Sequence, residues 1–118
     1  MALRVLLLVE ENYATRLRAL LEGDSHTVHQ ASDRLSAIAL AATLQPHVVV
    51  IDFDLAMADD YAVARHVRRA CRAAQLIALA RRGSEAERQQ MNAAGFAGFL
   101  LKPSDPSHLK RLVEQLTD

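Results

Sequence analysis

The chain has 118 residues, and its 14 basic and 14 acidic side chains leave no net charge at neutral pH. This length fits one domain, so we expect residues 1–118 to form a single unit. The balanced charge argues against direct nucleic-acid binding, and no apolar stretch approaches the ~20 residues that cross a bilayer. The single cysteine, Cys71, excludes an internal disulfide and fits a reducing cytoplasm.

Residues 1–30 predict a strand, a helix and a second strand. Arg4–Val9 is an apolar run that stops at two acids, which is typical of a strand buried on both faces. Asn12 is expected to cap the following helix, and Gly23 follows the end of that helix. Thr27–Gln30 alternates in polarity and predicts a weaker strand at a sheet edge.

The middle of the chain predicts a helix, a strand and a helix. Ser32 is expected to cap the first of these helices, which stops before Pro46. Its predicted apolar face comprises Leu35, Ile38, Ala39 and Ala42. Val48–Ile51 is the most hydrophobic β-branched run and predicts a buried strand that stops at Asp52. A helix over about residues 60–73 follows. Its inward residues are predicted to be Val63, Val67 and Ala70.

The last third of the chain repeats this alternation. Gln75–Ala80 predicts a fourth strand, and Ser84 is expected to cap the helix after it. Gly98–Leu101 predicts a short fifth strand. Ser104 or Asp105 caps a final helix. The apolar stripe of this helix is predicted to be Leu109, Leu112, Val113 and Leu116.

Strands that alternate with helices predict a doubly wound α/β domain, in which helices cover both faces of a parallel sheet. In such sheets the site lies beyond the carboxyl ends of the strands. The first predicted strand ends at Glu10 and Glu11. The third ends at Asp52, which is followed by Asp54, and the fifth ends at Lys102. Carboxylates held close need a cation, and their oxygens suit Mg²⁺ in the company of a phosphate. These residues therefore predict phosphoryl transfer at or near an aspartate, with the lysine holding the phosphate.

Four segments carry a resemblance to the receiver domain of bacterial two-component response regulators, and the similarity covers nearly the whole chain. They are VLLLVEEN (5–12), PHVVVID (46–52), LIALA (76–80) and AAGFAGFLLKP (93–103). The last is the most specific, because it joins a helix end, a glycine, a short strand and Lys-Pro. The resemblance implies the five-stranded flavodoxin-like fold of chemotaxis regulators, with strand order 2-1-3-4-5.

The resemblance also implies roles for individual residues. It makes Asp52 the acceptor of a phosphoryl group from a histidine kinase or a phosphotransfer protein, and Lys102 the lysine that contacts the phosphate. It implies a cis peptide before Pro103. The implied Mg²⁺ ligands are Glu10, Glu11, Asp52 and the backbone carbonyl of Asp54.

Several positions depart from the family's pattern, including Ala56 and Asp60 in the loop after Asp52, where the family usually has Pro and Gly. The acid pair usually contains Asp, whereas Glu10 and Glu11 are each one methylene longer, which predicts weak Mg²⁺ binding. Ala80 stands where the family has a hydroxyl that binds the phosphoryl group. Phe99 occupies the aromatic switch position but has no hydroxyl.

These departures leave a second hypothesis open. The chain could be a degenerate receiver that works as an interaction module without phosphorylation. A flavin-binding electron carrier of the same topology is disfavoured, because Glu10 and Glu11 would repel the cofactor's phosphate. In either receiver hypothesis the chain is a signalling domain rather than an enzyme, beyond catalysing its own phosphorylation and dephosphorylation. Its output is expected to come from another domain or a partner protein, and a dimer is possible through the surface around Phe99 and the last helix.

Two other groups of residues lie outside the predicted site. The histidines show no metal-binding spacing and are expected to be structural or exposed: His26, His29, His47, His66 and His108. A basic cluster on the third helix predicts a solvated face, or else a contact surface for an acidic partner. It comprises Arg65, Arg68, Arg69 and Arg72.

Overall fold

The computed structural model describes residues 2–53, 60–81 and 83–117. Within these ranges strands and helices alternate. They are β1 (Arg4–Leu8), α1 (Glu11–Gly23), β2 (Thr27–Gln30), α2 (Arg34–Leu44), β3 (Val48–Asp52), α3 (Asp60–Ala70), β4 (Gln75–Ala80), α4 (Glu85–Ala93), β5 (Phe96–Leu101) and α5 (Pro106–Leu116). All neighbouring strands are parallel, and their order is β2-β1-β3-β4-β5. The predicted doubly wound fold, its strand order and the edge position of β2 are therefore confirmed.

The sheet is covered on both faces because its central strands carry apolar side chains on both sides. Successive side chains of a strand point to opposite faces, so Val5 and Leu7 of β1 pack with α1 and α5. Leu6 and Leu8 pack with α2, α3 and α4 on the other face. The continuous apolar runs in the sequence thus reflect burial in a parallel sheet.

The orientation of α2 differs from the prediction. Leu35 is 74% exposed, whereas Ala37 and Ala41 are fully buried. The helix is capped by Asp33 and not by Ser32, because the Asp33 carboxylate accepts the N–H of Ser36 at 2.8 Å. The inner face of α2 is built from alanines, whose small side chains allow it to lie close to the sheet and α3.

Side-chain caps fix three further helix starts. The predicted cap Asn12 lies inside α1, and Glu10 is the residue that caps this helix. Asp105, one of the two predicted residues, caps α5 by accepting the N–H of Ser107 at 2.8 Å. Ser84 caps α4 as predicted.

The basic cluster of α3 is partly structural. Arg68 donates to the carbonyls of Ala74 at 3.0 Å and Gly95 at 3.3 Å, so it joins the end of α3 to the turn before β5. Gly95 has a φ of +98°, a conformation that favours glycine. The prediction of one solvated face therefore holds for the exposed Arg65, Arg69 and Arg72 only.

Two histidine rings accept backbone N–H groups at the amino-terminal edge of the sheet, and His26 is buried whereas His47 is partly exposed. His26 Nδ1 accepts the N–H of Leu3 at 3.1 Å, and His47 Nδ1 accepts the N–H of Arg4 at 2.9 Å. These two histidines are structural, as expected. Cys71 is buried in the core. Among the described helices, none has the length and apolar character to span a membrane.

Candidate functional site

The centre of the site is an ion pair at the carboxyl edge of the sheet. Asp52 is the last residue of β3 and only 3% exposed. Lys102 follows β5, and its Nζ donates to Oδ1 of Asp52. The backbone N–H of Lys102 donates to the carbonyl of Ala80 at 2.8 Å, which holds the start of the loop against β4. The peptide bond between Lys102 and Pro103 is cis.

This pair lies between the protein interior and the solvent. The side chain of Asp52 is 5% exposed and that of Lys102 is 22% exposed. A carboxylate with so little contact to water needs a cation, because an uncompensated buried charge is strongly destabilising. Lys102 supplies that charge in the unmodified protein.

Glu10 reaches the same pocket but already has hydrogen-bond partners. Its two carboxylate oxygens accept the N–H groups of Asn12 at 3.0 Å and Tyr13 at 3.1 Å. Amides at a helix start are unpaired within the helix, and a carboxylate there also meets the positive end of the helix dipole. The glutamate therefore serves as a helix cap on one wall of the pocket.

Glu11 does not share this pocket. It is the exposed first residue of α1 and lines a neighbouring cleft with Gln30, Ser32 and Ser36. Because α1 begins at Glu11, helical geometry turns this side chain away from that of Glu10. Glu10 lines both clefts, whereas Glu11 lines only the neighbouring one among the described residues, so the role of Glu11 as a Mg²⁺ ligand stays a prediction.

The described residues do not fit a tight Mg²⁺ site. Mg²⁺ demands near-octahedral oxygen ligands at short distance, whereas Glu10, Glu11 and Asp52 form no group of converging ligand atoms within the described ranges. The fourth predicted ligand, Asp54, lies outside the described residues.

Another trio of metal-type side chains does converge, at the opposite edge of the sheet. It comprises Asp24, His26 and Glu114, whose ligand atoms lie within 4.8 Å of one another. However, His26 Nδ1 accepts an N–H, which leaves the proton of the neutral ring on Nε2, the atom 3.9 Å from Glu114. Lys110 also pairs with Asp24 at 2.6 Å. The trio is thus part of an ion-pair network rather than a vacant ligand set.

The pocket beside Asp52 has a volume of about 580 Å³ and a mixed wall. Cationic side chains from three elements face it, namely Arg16, Arg81 and Lys102. Among these cations the sequence analysis gave a role only to the lysine. Arg81 follows the last residue of β4, so its position at a strand end already placed it at this edge of the sheet, whereas Arg16 lies inside α1 and carried no such signal.

Tyr13 forms part of this wall. Its hydroxyl is fully buried and lacks a partner of good hydrogen-bond geometry among the described residues. Burial raises the pKa of the Tyr13 hydroxyl, and the adjacent side chain of Ser104 offsets part of that rise. The phenol therefore stays protonated at neutral pH and presents its ring to the pocket.

The two predicted switch positions lie on neighbouring strands. Ala80 is 3% exposed at the end of β4, and its methyl side chain cannot donate a hydrogen bond. Phe99 on β5 is partly buried against the core, with the guanidinium of Arg88 4.7 Å from its ring centre. The ring also lies so close to Gly83 that a Cβ there would be 2.9 Å from two ring carbons.

Comparison with known proteins gives one family for this arrangement. The family model for the response regulator receiver domain matches residues 6–114. The chain is 32% identical over 114 residues to an uncharacterized 14.6 kDa protein encoded 3′ of sodA1 in Leptolyngbya boryana, with 93% of this chain and 87% of that protein covered.

Solved structures agree in fold. The chemotaxis response regulator CheY4 of Vibrio cholerae matches with a TM-score of 0.87 at 20% identity, over 98% of this chain and 99% of that one. The receiver domain of the sensor histidine kinase PA1611 from Pseudomonas aeruginosa, which has a magnesium ion in its active site cleft, matches with a TM-score of 0.79 at 23% identity, over 98% and 97%.

Proposed function

The chain belongs to the response regulator receiver domain family, and on that premise we propose that residues 1–118 form one receiver domain in which Asp52 accepts a phosphoryl group. The observation that carries the proposal is the nearly buried Asp52 carboxylate, paired with Lys102 at the edge of a cation-lined pocket. The donor is a phosphohistidine of a histidine kinase or of a phosphotransfer protein.

In the proposed reaction one Asp52 carboxylate oxygen attacks the phosphorus of the donor phosphohistidine. The new P–O bond forms as the P–N bond breaks, and the departing imidazole takes up a proton from solvent. Lys102 stays beside the acceptor, where its charge stabilises the equatorial oxygens in the transition state. Water then hydrolyses the acyl phosphate: the bond between the Asp52 oxygen and phosphorus breaks, inorganic phosphate leaves, and the Asp52 carboxylate is restored.

The domain works as a signalling module and not as an enzyme acting on other molecules. We place it in the cytoplasm, where the kinase domains of two-component systems act. Its output comes from another domain or from a partner protein that reads the surface of β5 and its neighbouring helices, and a dimer through that surface belongs to the same proposal.

Intact mass spectrometry tests the assignment directly. The protein is incubated with acetyl phosphate, with and without Mg²⁺, and we expect the mass of one phosphoryl group to be added. Asp52→Asn should abolish the addition, whereas Asp33→Asn is the matched control because Asn also caps helices. Phosphorylation that persists in Asp52→Asn would contradict the proposal.

A second candidate function is an interaction module that works without phosphorylation. Ala80 and the cleft of Glu11 favour it, because among the described residues the end of β4 offers the pocket no side-chain hydroxyl and Glu11 does not line that pocket. Under this alternative, the wild-type protein gains no mass from acetyl phosphate or from a phosphorylated kinase, and Asp52→Asn leaves partner binding unchanged.

A further inference from the structure

The exposed arginines of α3 lie in a stretch of the chain that has no acidic residue between Asp60 and Glu85. Arg65 and Arg69 are one helical turn apart, so they share a face of α3, and Arg72 lies in the turn after the helix. Within the described residues these three guanidinium groups form no hydrogen bond or ion pair. No carboxylate in that part of the chain therefore compensates their charge.

The helix itself explains only part of this arrangement. A cation near the carboxyl end of a helix is stabilised by the helix dipole, which accounts for Arg69. Arg65 lies in the middle of α3, where the dipole gives no such benefit, and it repels Arg69 one turn away. An anion that binds from outside would relieve this repulsion.

A groove of about 430 Å³ between α3 and α4 lies beside these arginines. Arg65 and Tyr61 line it from α3, and Gln90, Ala93 and Ala94 line it from α4 and its end. The hydroxyl of Tyr61 donates to Oε1 of Gln90 at 3.5 Å, which links the two walls. The ring of Tyr61 packs edge-to-face against Phe53, with 5.4 Å between the ring centres.

The groove combines a small-residue wall with a cationic rim. The two alanines leave room for an apolar side chain, and no carboxylate lines the groove among the described residues. A concave apolar hollow does not suit a flat membrane surface, and the balanced charge of the chain does not favour a nucleic-acid backbone. A helix that carries both carboxylates and an apolar side chain matches both parts of this surface.

We propose that the groove between α3 and α4 docks an acidic amphipathic helix of a partner protein. One apolar side chain of that helix enters the hollow beside Tyr61 and Ala93. Two of its carboxylates, one turn apart, pair with Arg65 and Arg69, because the two stripes have the same spacing along their helices. Arg72 adds to the attraction at the end of α3.

This surface is separate from the phosphorylation site. None of the residues that line the groove lines the pocket beside Asp52 or the hollow beside Phe99. Asp52→Asn should therefore leave docking unchanged, so that a failure of phosphorylation and a failure of docking are distinct results.

The probe is a labelled alanine-based helical peptide of about 18 residues, above the length at which isolated helices are marginal. It carries two glutamates one turn apart and a leucine beside them. A second peptide has glutamines in place of the glutamates, and a third has alanine in place of the leucine. Fluorescence anisotropy at low ionic strength measures the binding of each peptide to the full chain.

We expect Arg65→Gln and Arg69→Gln each to weaken binding about two- to fivefold, the range for an exposed ion pair, and the double variant to weaken it about tenfold. Added salt should weaken it as well. Arg111→Gln, at an exposed arginine on α5, is the matched control and should bind as the wild type does. Circular dichroism confirms that each variant is folded.

The hollow has its own test. Ala93→Gln places a longer neutral side chain in the groove, and it should lower the affinity for the leucine peptide to that for the alanine peptide. Ala39→Gln, at an exposed alanine on α2, is the matched control and should preserve the difference between the two peptides.

Four results would overturn the proposal. The first is equal affinity of the wild type and the double arginine variant for the acidic peptide. The second is equally tight binding of the glutamine peptide. The third is an unchanged preference for leucine in Ala93→Gln. The fourth is tighter binding of a single-stranded RNA or of phosphatidylserine vesicles through the same arginines, which would assign them to a nucleic acid or a membrane.

Discussion

Removal of the Lys102 ammonium is the sharpest test of the site's electrostatics. Lys102→Met keeps the length and apolar stem of the side chain but leaves the Asp52 carboxylate, which is 5% exposed, without this cation. Breaking a fully buried pair in this way costs about 3–5 kcal/mol. Lys102 is itself 22% exposed and the pocket is open to water. We therefore expect a smaller loss, about 2–3 kcal/mol.

Urea unfolding followed by circular dichroism at pH 7 measures this loss. The double variant Asp52→Asn/Lys102→Met removes both charges and should recover most of the stability, because neither charge is then left uncompensated. Lys110→Met is the matched control. It breaks an exposed pair with Asp24 on the opposite edge of the sheet, where solvent screens the interaction, and should cost far less.

The reasoning is refuted if Lys102→Met is as stable as the wild type, or if the double variant is no more stable than the single one. Either result would mean that Asp52 does not depend on the lysine charge. The same variants report on function, because Lys102→Met should also slow phosphorylation by acetyl phosphate.

Three other predictions concern the metal, the switch and pH. Glu10→Asp should tighten Mg²⁺ binding severalfold in calorimetry, because the shorter side chain loses less entropy on ordering; equal or weaker affinity would contradict this. Ala80→Thr places a hydroxyl at the end of β4, and its hydrogen bond should favour the phosphorylated state over the unmodified state by about 1.5–3 kcal/mol. Beryllofluoride, which mimics the phosphoryl group, should therefore shift the NMR signals of Phe99 more in the variant than in the parent. Equal and large shifts in both proteins would contradict this prediction. At the start of α5, side-chain and backbone hydrogen bonds lower the pKa of the Asp105 carboxyl. Its contribution to stability is present above the unfolded pKa and is lost as pH falls through the lower folded pKa. Asp105→Asn should therefore reduce the fall in melting temperature as the pH is lowered. An unchanged pH dependence would mean that Asp105 does not contribute to it.

The amino-acid sequence by itself determined the architecture and the centre of the site. Val48–Ile51 and Gln75–Ala80 are short and almost continuously apolar, which is typical of strands buried on both faces, and the helix between them favours a parallel sheet. Once the strands are parallel, their carboxyl ends share one edge. Asp52 and Lys102 could thus be brought together before any coordinates were known.

Only the tertiary structure decided which charged groups share the pocket. Whether Glu10 or Asn12 caps α1 depends on where the helix begins, and that choice sends Glu11 to a different cleft. Likewise Arg16 and Arg81 are 65 positions apart in the chain, with no periodic pattern that links them, and they line one pocket because the parallel sheet brings the start of α1 and the end of β4 to the same edge. Periodicity fixes the face of an element that meets the core, whereas side chains at element ends take directions set by caps and by neighbours distant in sequence.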